Sequence, residues 1–494
     1  MKNLVSENRY QPGSCREVLN LSLPLIISIG IGSLQMFIDR IFLTWYSADA
    51  MAGAMQAGIT SFAITSLFLG TVSYVNTFVA QYTGAGLHHR IGACIWQGIY
   101  LSIAASVLML LLIPAAGVMF GWMGHQPAVR QSEVIYFRIM CVGAMPLLIS
   151  SVLASFFTGR GKTKTVMVVS LAETLVNIVL DYIFIFGNFG FPRWGVAGAA
   201  WATVIAYIFS VAVYFGLFIR TKHRLPYAVL SGIKPDFELI KRILKFGLPN
   251  GIQFMLDTLA FTVFIMFVGR ISTTALTATA IAFGINTLAF MPMLGIGTGV
   301  SILVGQALGK GQPALAQRST WSGFYITYAY MAILALGYWL VPQWFLFLFS
   351  INADPAQFAA VKPIVINLLC FVAFYCLFDT GNIIFSAALK GAGDTRFVMA
   401  MTVVLSWVVM VLPSWIAVKK GFGIYVVWIF ATAYVCILAV AFLLRFLAGK
   451  WKSMRVIEAA APEVLPKLTP PQAGPAETSS PKANSPSADR IAKD

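Results

Sequence analysis

The sequence predicts an all-α polytopic membrane protein: twelve transmembrane helices in two six-helix bundles, related by a pseudo-two-fold axis along the membrane normal. Three observations carry this. The chain of 494 residues is 59% hydrophobic and only 11% charged, where a soluble domain carries about 25% charged residues. Apolar runs long enough to cross ~30 Å of hydrocarbon recur from near Leu21 to Leu447, without the alternation of membrane strands. Finally, the two halves repeat. "LSLP" ending at Pro24 matches "FGLP" ending at Pro249, and "FVAQYTGAG" ending at Gly86 matches "LVGQALGKG" ending at Gly311 at the same offset. "TGRGKT" (158–163) and "KGAGDT" (390–395) pair at nearly that offset. Six helices return a chain to its starting side, so both halves have one topology, as in parallel-repeat transport folds.

The spans are placed at 18–45, 53–83, 91–120, 133–158, 164–187 and 195–220 in the first half. In the second half they are placed at 240–269, 275–307, 317–349, 359–389, 396–418 and 422–449. This gives an N-terminal segment 1–17, an N-terminal lobe 18–220, a linker 221–239, a C-terminal lobe 240–450 and a tail 451–494. One set of loops holds "HHR", "GRGKTK", "RTKHR", "KPDFELIKR", "GKGQPALAQR" and "KGAGDTR"; the opposite set holds chiefly Arg130, Arg193, Arg270, Lys362, Lys419 and Lys420. The excess of cations on one side places both termini in the cytoplasm. Lys2, Arg9 and Arg16 precede a first span without a nearby small-residue cleavage site, so that span is expected to remain as a signal anchor. The tail is rich in Pro, Ala and Ser and is expected to be disordered.

A net charge of +16 suits cation-rich cytoplasmic loops, and no nucleic acid is called for. The cysteines Cys15, Cys94, Cys141, Cys370, Cys376 and Cys436 show no CxxC spacing and no disulfide framework. "TGRGKT" superficially matches a phosphate loop. A Walker A motif needs glycine where Phe156 stands, and the repeat partner lacks the lysine, so the glycines read as a tight turn and nucleotide binding is excluded. The four histidines, His88, His89, His125 and His223, fall in or near loops, so no intramembrane haem or zinc site is expected. Without nucleophile or metal constellations the chain is read as no enzyme, with no cofactor.

The chemistry-bearing residues are acids inside spans. Asp39 lies in "QMFIDRIF". Glu173, Asn177 and Asp181 lie four apart in "LAETLVNIVLDY", on one helix face. Asp257 lies in "GIQFMLDTLAF". Asp379 lies in "FYCLFDTGNIIFSAALKG", with Tyr375 one turn earlier. Carboxylates at such depth mark ion or substrate paths by default, binding a proton or, with further oxygens, sodium.

On these pieces the sequence resembles the multidrug and toxic compound extrusion (MATE) family, most closely its bacterial NorM-like branch, over about residues 15–450. The specific segments are "GLPNGIQFMLD", "VGQALGKG" and "FDTGNIIFSAALKGAGDT". Asp257, Tyr375 and Asp379 fit the family's acids on helices 7 and 10 and its helix-10 tyrosine. Asp39, Asn177, Asp181 and Thr203 fit its helix-1 aspartate, its Asn-x-x-x-Asp pair and its helix-6 threonine. The helix-7 acid is often glutamate in the family, and Arg40 stands where a small polar residue is common. The resemblance implies antiport, with H+ or Na+ entering while an organic, often cationic, amphiphilic compound leaves by rocking of the two lobes. Asp257 and Asp379 would form a second cation site, a possible sodium site. Phe261 and Met293 are candidates for lining an adaptable substrate cavity. The protein is expected to be a monomer in a bacterial-type inner membrane, its partners a small-molecule substrate and the lipid bilayer. The alternative is a flippase for a lipid-linked saccharide of the same superfamily. Its anionic cargo would call for cations in the cavity, whereas most mid-membrane charges here are acids.

Overall fold

The computed structural model describes residues 11–350 and 355–458. Twelve helices are long and apolar enough to cross a membrane. Spans 1 to 6 are Cys15–Tyr46, Ala48–Gly84, His89–Leu110, Pro127–Thr158, Thr163–Phe186 and Val196–Phe218. Spans 7 to 12 are Phe237–Ile271, Thr273–Gly309, Pro313–Leu340, Pro355–Ala392, Thr395–Lys419 and Ile424–Leu447.

The ends of these helices show why the sequence breaks where it does. Ser47 separates spans 1 and 2 in an extended conformation (φ −169°, ψ 139°), and its hydroxyl accepts from Ala50 N at 3.4 Å. Ser272 does the same between spans 7 and 8 (φ −167°, ψ 160°), accepting from Ala275 N at 3.0 Å. A serine side chain satisfies one orphan amide and lets the next helix start at once. Asp236 caps span 7 in the same way, at 3.0 Å from Leu239 N. Two expected edges moved because of proline. Span 3 ends at Leu110, before Pro114, and a short separate helix Ala116–Gly121 follows; span 9 ends at Leu340, and Pro342 opens another, Pro342–Ser350. Proline lacks the donor that would continue the ladder. In span 11 a π-helical turn, Ser406–Val411, precedes Pro413 for the same reason.

The packing pattern repeats as the helices do. Span 1 packs on span 5, span 2 on span 4, and span 4 on spans 3 and 6; span 7 packs on span 11, span 8 on span 10, and span 10 on spans 9 and 12. The lobes meet reciprocally, span 1 on span 8 and span 2 on span 7. The chain is thus two six-helix bundles of one topology. The buried apolar side chains of spans 7 to 12 form one large cluster, and those of the first half form smaller ones.

The cation-rich end is sealed across the lobes. Gln81 Nε2 donates to Gly391 O at 3.0 Å, Gln306 Nε2 to Gly159 O at 2.8 Å, Tyr74 OH to Lys390 O at 2.6 Å and Asn250 Nδ2 to Gly70 O at 2.7 Å. Helix backbones touch there. A methyl group on Gly84 would overlap the Gln306 carbonyl, and one on Gly309 would overlap the Gln81 carbonyl.

The expected tail boundary at 451 needs correction. Trp451 is fully buried, stacked on Phe446 with ring centroids 4.8 Å apart, and its indole N–H donates to Phe446 O at 2.8 Å. Val456 is buried against the N-terminal lobe, its amide donating to Gln81 Oε1 at 2.9 Å. Tryptophan brings enough apolar area and one donor to hold this segment against the bundle. The rest of the tail, from 459, lies outside the described residues, as do residues 1–10.

Candidate ion-coupling sites in the two lobes

In the N-terminal lobe the packing of spans 1, 5 and 6 brings four expected residues together. Asp39 and Asp181 place their carboxyl groups side by side, within hydrogen-bonding reach across spans 1 and 5. Asn177 lies one turn before Asp181, and its Nδ2 contacts Thr203 Oγ1 of span 6 at 3.4 Å. The threonine hydroxyl itself donates back to Ala199 O at 3.1 Å. Thr174 donates to Gln35 Oε1 at 3.1 Å, pinning span 5 to span 1 one turn from Asp39 and two turns from Asp181. Asn177 and Asp181 have no exposed surface.

What this cluster lacks is donors. Asp39 Oδ1, both carboxylate oxygens of Asp181 and Asn177 Oδ1 are buried without a hydrogen-bond partner. Buried acceptors are rarely left so, because each forfeits its hydration without return. Four such oxygens lie in this one cluster. Tyr136 of span 4 stands within electrostatic reach of Asp39 and Asp181, and Tyr207 of span 6 within reach of Asp39 and Glu173; neither was singled out from the sequence. An intramembrane tyrosine on a span that faces an acid is the only signal that marks them. Arg40 is exposed yet remains an electrostatic neighbour of Asp39. Glu173 shares a face with Asn177 but reaches Ser210 of span 6 instead of joining the acid pair.

The C-terminal lobe is arranged differently. Asp257 of span 7 accepts from Tyr434 OH of span 12 at 2.8 Å. Asp379 accepts from Asn382 Nδ2, one turn on in the same helix, at 2.9 Å. The two acids feel each other's charge, and each carboxylate accepts from a donor of its own. Tyr375 is turned toward span 8: its hydroxyl accepts from Asn286 Nδ2 at 3.1 Å, and Asn286 Oδ1 accepts from Cys376 Sγ at 3.2 Å. Lys390, which the sequence placed in a loop, ends span 10 close enough to Asp257 to act as its counter-charge. Asn286 is a polar group inside a span and was open to that reading. Tyr434 is reached only through the packing of span 12.

The two residues expected to line a cavity part company. Phe261 is 46% exposed and stacks near Phe283, ring centroids 4.9 Å apart. Met293 has no exposed surface and receives Thr380 Oγ1 at 3.8 Å, so it belongs to the packed interior of the lobe and lines no opening here. Among the described residues no group of three His, Cys, Asp or Glu side chains gathers as a metal site.

A chain of *Thermotoga maritima* described as "Probable multidrug resistance protein NorM" is 26% identical over 451 residues, covering 90% of this chain and 94% of that one. A protein of the same description from *Brucella suis* is 28% identical over 437 residues, covering 87% and 92%. Two solved structures share the fold with a TM-score of 0.80. One is described as a MOP superfamily transporter from *Pyrococcus furiosus* whose binding pocket has reversed polarity (22% identity; 90% and 98% covered). The other is an outward-facing multidrug resistance MATE family transporter (20% identity; 89% and 96% covered). The family profile described as MatE matches residues 24–183 and 249–416, and the chain therefore belongs to the MATE family of multidrug efflux transporters.

Proposed function

We propose that this transporter is an antiporter. It exports organic, cationic and amphiphilic compounds in exchange for a proton, and the Asp39–Asp181 pair is the site that holds the proton. One observation carries the reading: the four buried oxygens of Asp39, Asp181 and Asn177 that have no donor. Two carboxyl groups in contact in a low-dielectric site cannot both keep their charge, and one proton between them supplies the missing donor. A sodium ion is the second reading. A shared proton leaves Asn177 Oδ1 unpartnered, whereas an oxygen-liganded cation would use it as well.

The lobes supply the movement. The cation-rich end is taken as cytoplasmic, with both termini there, and the seal described above closes that side in this state. Inward opening would part span 1 from span 8 and span 2 from span 7, break the Gln81 and Gln306 bonds, and expose the pair to the cytoplasm. The C-terminal acids Asp257 and Asp379 offer negative charge to a cationic cargo, and Lys390 balances Asp257 when no cargo is present. Lobes bounded near 18–220 and 240–450, acting within a monomer, are sufficient for this cycle.

The test is reconstitution in liposomes, with export of a fluorescent organic cation followed under a proton gradient and, separately, a sodium gradient. Export driven by the proton gradient alone and lost in Asp181→Asn supports the first reading. Export driven by sodium alone supports the second. Export indifferent to both gradients overturns antiport.

A further inference from the structure

The cation-rich face holds a second polar cavity, far from the acids just described. It has a volume of about 140 Å³ and lies at the inner ends of spans 4, 5 and 6, where the segment joining the lobes crosses them. Arg160, Lys162, Lys222, His223 and Thr165 line it, with no carboxylate in the lining.

Two buried nitrogen atoms there lack partners, although the Arg160 guanidinium also reaches the Tyr227 hydroxyl. Arg160 sits in the corner of two near-perpendicular rings, its guanidinium carbon 4.2 Å from the Phe156 centroid and 4.1 Å from that of Tyr227, and its Nη1 is buried without a hydrogen-bond partner. His223 is 8% exposed, and its Nδ1 is likewise unpartnered. The short helix Thr221–Arg224 holds the ring in place against Phe156, 5.4 Å away, and Tyr227, 5.8 Å away. The charged neighbours of His223 are Arg160, Lys222 and Arg220, all cations. Burial, with that company, brings the imidazole down to about 4. At neutral pH the ring is therefore uncharged and can present one N–H as a donor.

An uncompensated cluster of cations repels itself, and buried donors without acceptors cost free energy. An anion rich in oxygens corrects both. Arginine's planar fork and lysine's point charge are the groups that hold phosphate in proteins. Packing the guanidinium against both rings restrains that fork in advance, so less side-chain entropy remains to be lost on binding.

We propose that this cavity binds a phosphate group, held by Arg160, Lys162, Lys222 and His223. The phosphate of an anionic phospholipid headgroup and a free phosphate ion share that chemistry, and the inner ends of the spans lie within reach of either.

The experiment uses the full chain purified in a neutral detergent. Its melting temperature is followed on adding inorganic phosphate, phosphatidylglycerol or phosphatidylcholine, with sodium chloride at matched ionic strength as control. A rise of roughly 3 °C or more is expected with at least one of the two anionic probes, as for any ligand that binds only the folded state. A rise with phosphatidylglycerol alone identifies a headgroup, and a rise with inorganic phosphate a soluble ion. Lys162 and Lys222 are exposed, so the Lys162→Gln/Lys222→Gln variant should fold normally and lose at least half of the rise. Arg160→Gln should lose it all. The proposal is overturned if neither anionic probe stabilises the wild type beyond the phosphatidylcholine and chloride controls. It is also overturned if the double variant responds as the wild type does.

Discussion

Gln81 donates its side-chain amide to the carbonyl of Gly391 in the opposite lobe at 3.0 Å. The repeat returns the contact: Gln306, its counterpart in the second half, donates to Gly159 at 2.8 Å. Each glutamine reads the glycine turn of the other lobe, and the glycines one turn further, Gly84 and Gly309, let the backbones close to contact. The motifs that reveal the repeat in the sequence are therefore the same ones that seal the lobes together.

Breaking this seal should shift the molecule inward. Each net hydrogen bond is worth ~0.5–1.5 kcal/mol, so Gln81→Ala/Gln306→Ala should change the ratio of closed to open inner ends by about tenfold or more. Spin labels at His88 and Lys310, both exposed, would read it as a longer distance population. Gly309→Val should act more strongly, because its side chain cannot fit beside the Gln81 carbonyl. An unchanged distance distribution in both variants would show that the seal is incidental.

Asp181→Asn should uncouple transport without harming the fold. The amide removes a buried charge and adds a donor where four oxygens lack one, so thermal stability should hold or rise. Gradient-driven export should fall by about two orders of magnitude, the scale of losing an essential proton carrier. A loss of export accompanied by a collapse in melting temperature would mean that Asp181 is structural.

Tyr434→Phe should be costly in the other lobe. It strips Asp257 of the donor at 2.8 Å and leaves a half-buried carboxylate short of a partner, at ~1–3 kcal/mol. Asp257→Asn combined with Tyr434→Phe should recover much of that stability, since no carboxylate is then stranded. A double-mutant cycle on melting temperatures gives the coupling directly.

Acid should loosen the cation-rich face. His223 has a folded-state value of about 4, below its ordinary 6.5. As pH falls from about 6.5 toward 4 the unfolded chain takes up this proton first, so the stability held by the neutral ring is full above 6.5 and declines through that window. The protonated ring would face Arg160, Lys222 and Arg220. His223→Gln should flatten the pH dependence of the melting temperature between 4 and 6.5; an identical slope in the variant would reject the assignment.

Much of this was legible from residue types and spacing. Twelve spans and the repeat follow from hydropathy and matched prolines and glycines, and the four-residue spacing puts Asn177 and Asp181 on one face of span 5; that Asp39 and Thr203 join them was implied by the family resemblance. Pro114 and Pro342 were visible but were absorbed into apolar runs, because hydropathy outweighs a single helix breaker in a long window. Other features depend on tertiary geometry. Nothing local to span 12 says that Tyr434 faces Asp257, nor does "KGAG" say that Lys390 turns inward. Met293 illustrates the converse: a methionine in a span is as ready to fill a packed interior as to line a cavity.

The paired serines between helices, Ser47 and Ser272, and the paired glutamines show how faithfully the scaffold is duplicated. The acids ignore that duplication. The place of Asp39 on span 1 corresponds to Phe264 on span 7, and Asp257 corresponds to Gly32. One half presents a donor-poor pair joined across spans 1 and 5; the other presents separate carboxylates, each tethered to an amide or phenol donor on spans 10 and 12. A machine with matching jaws has thus been given dissimilar teeth. Chimeras made from two copies of one half should still assemble into a closed pair of bundles, yet each would carry only one kind of grip and would idle, hinged but with nothing to exchange.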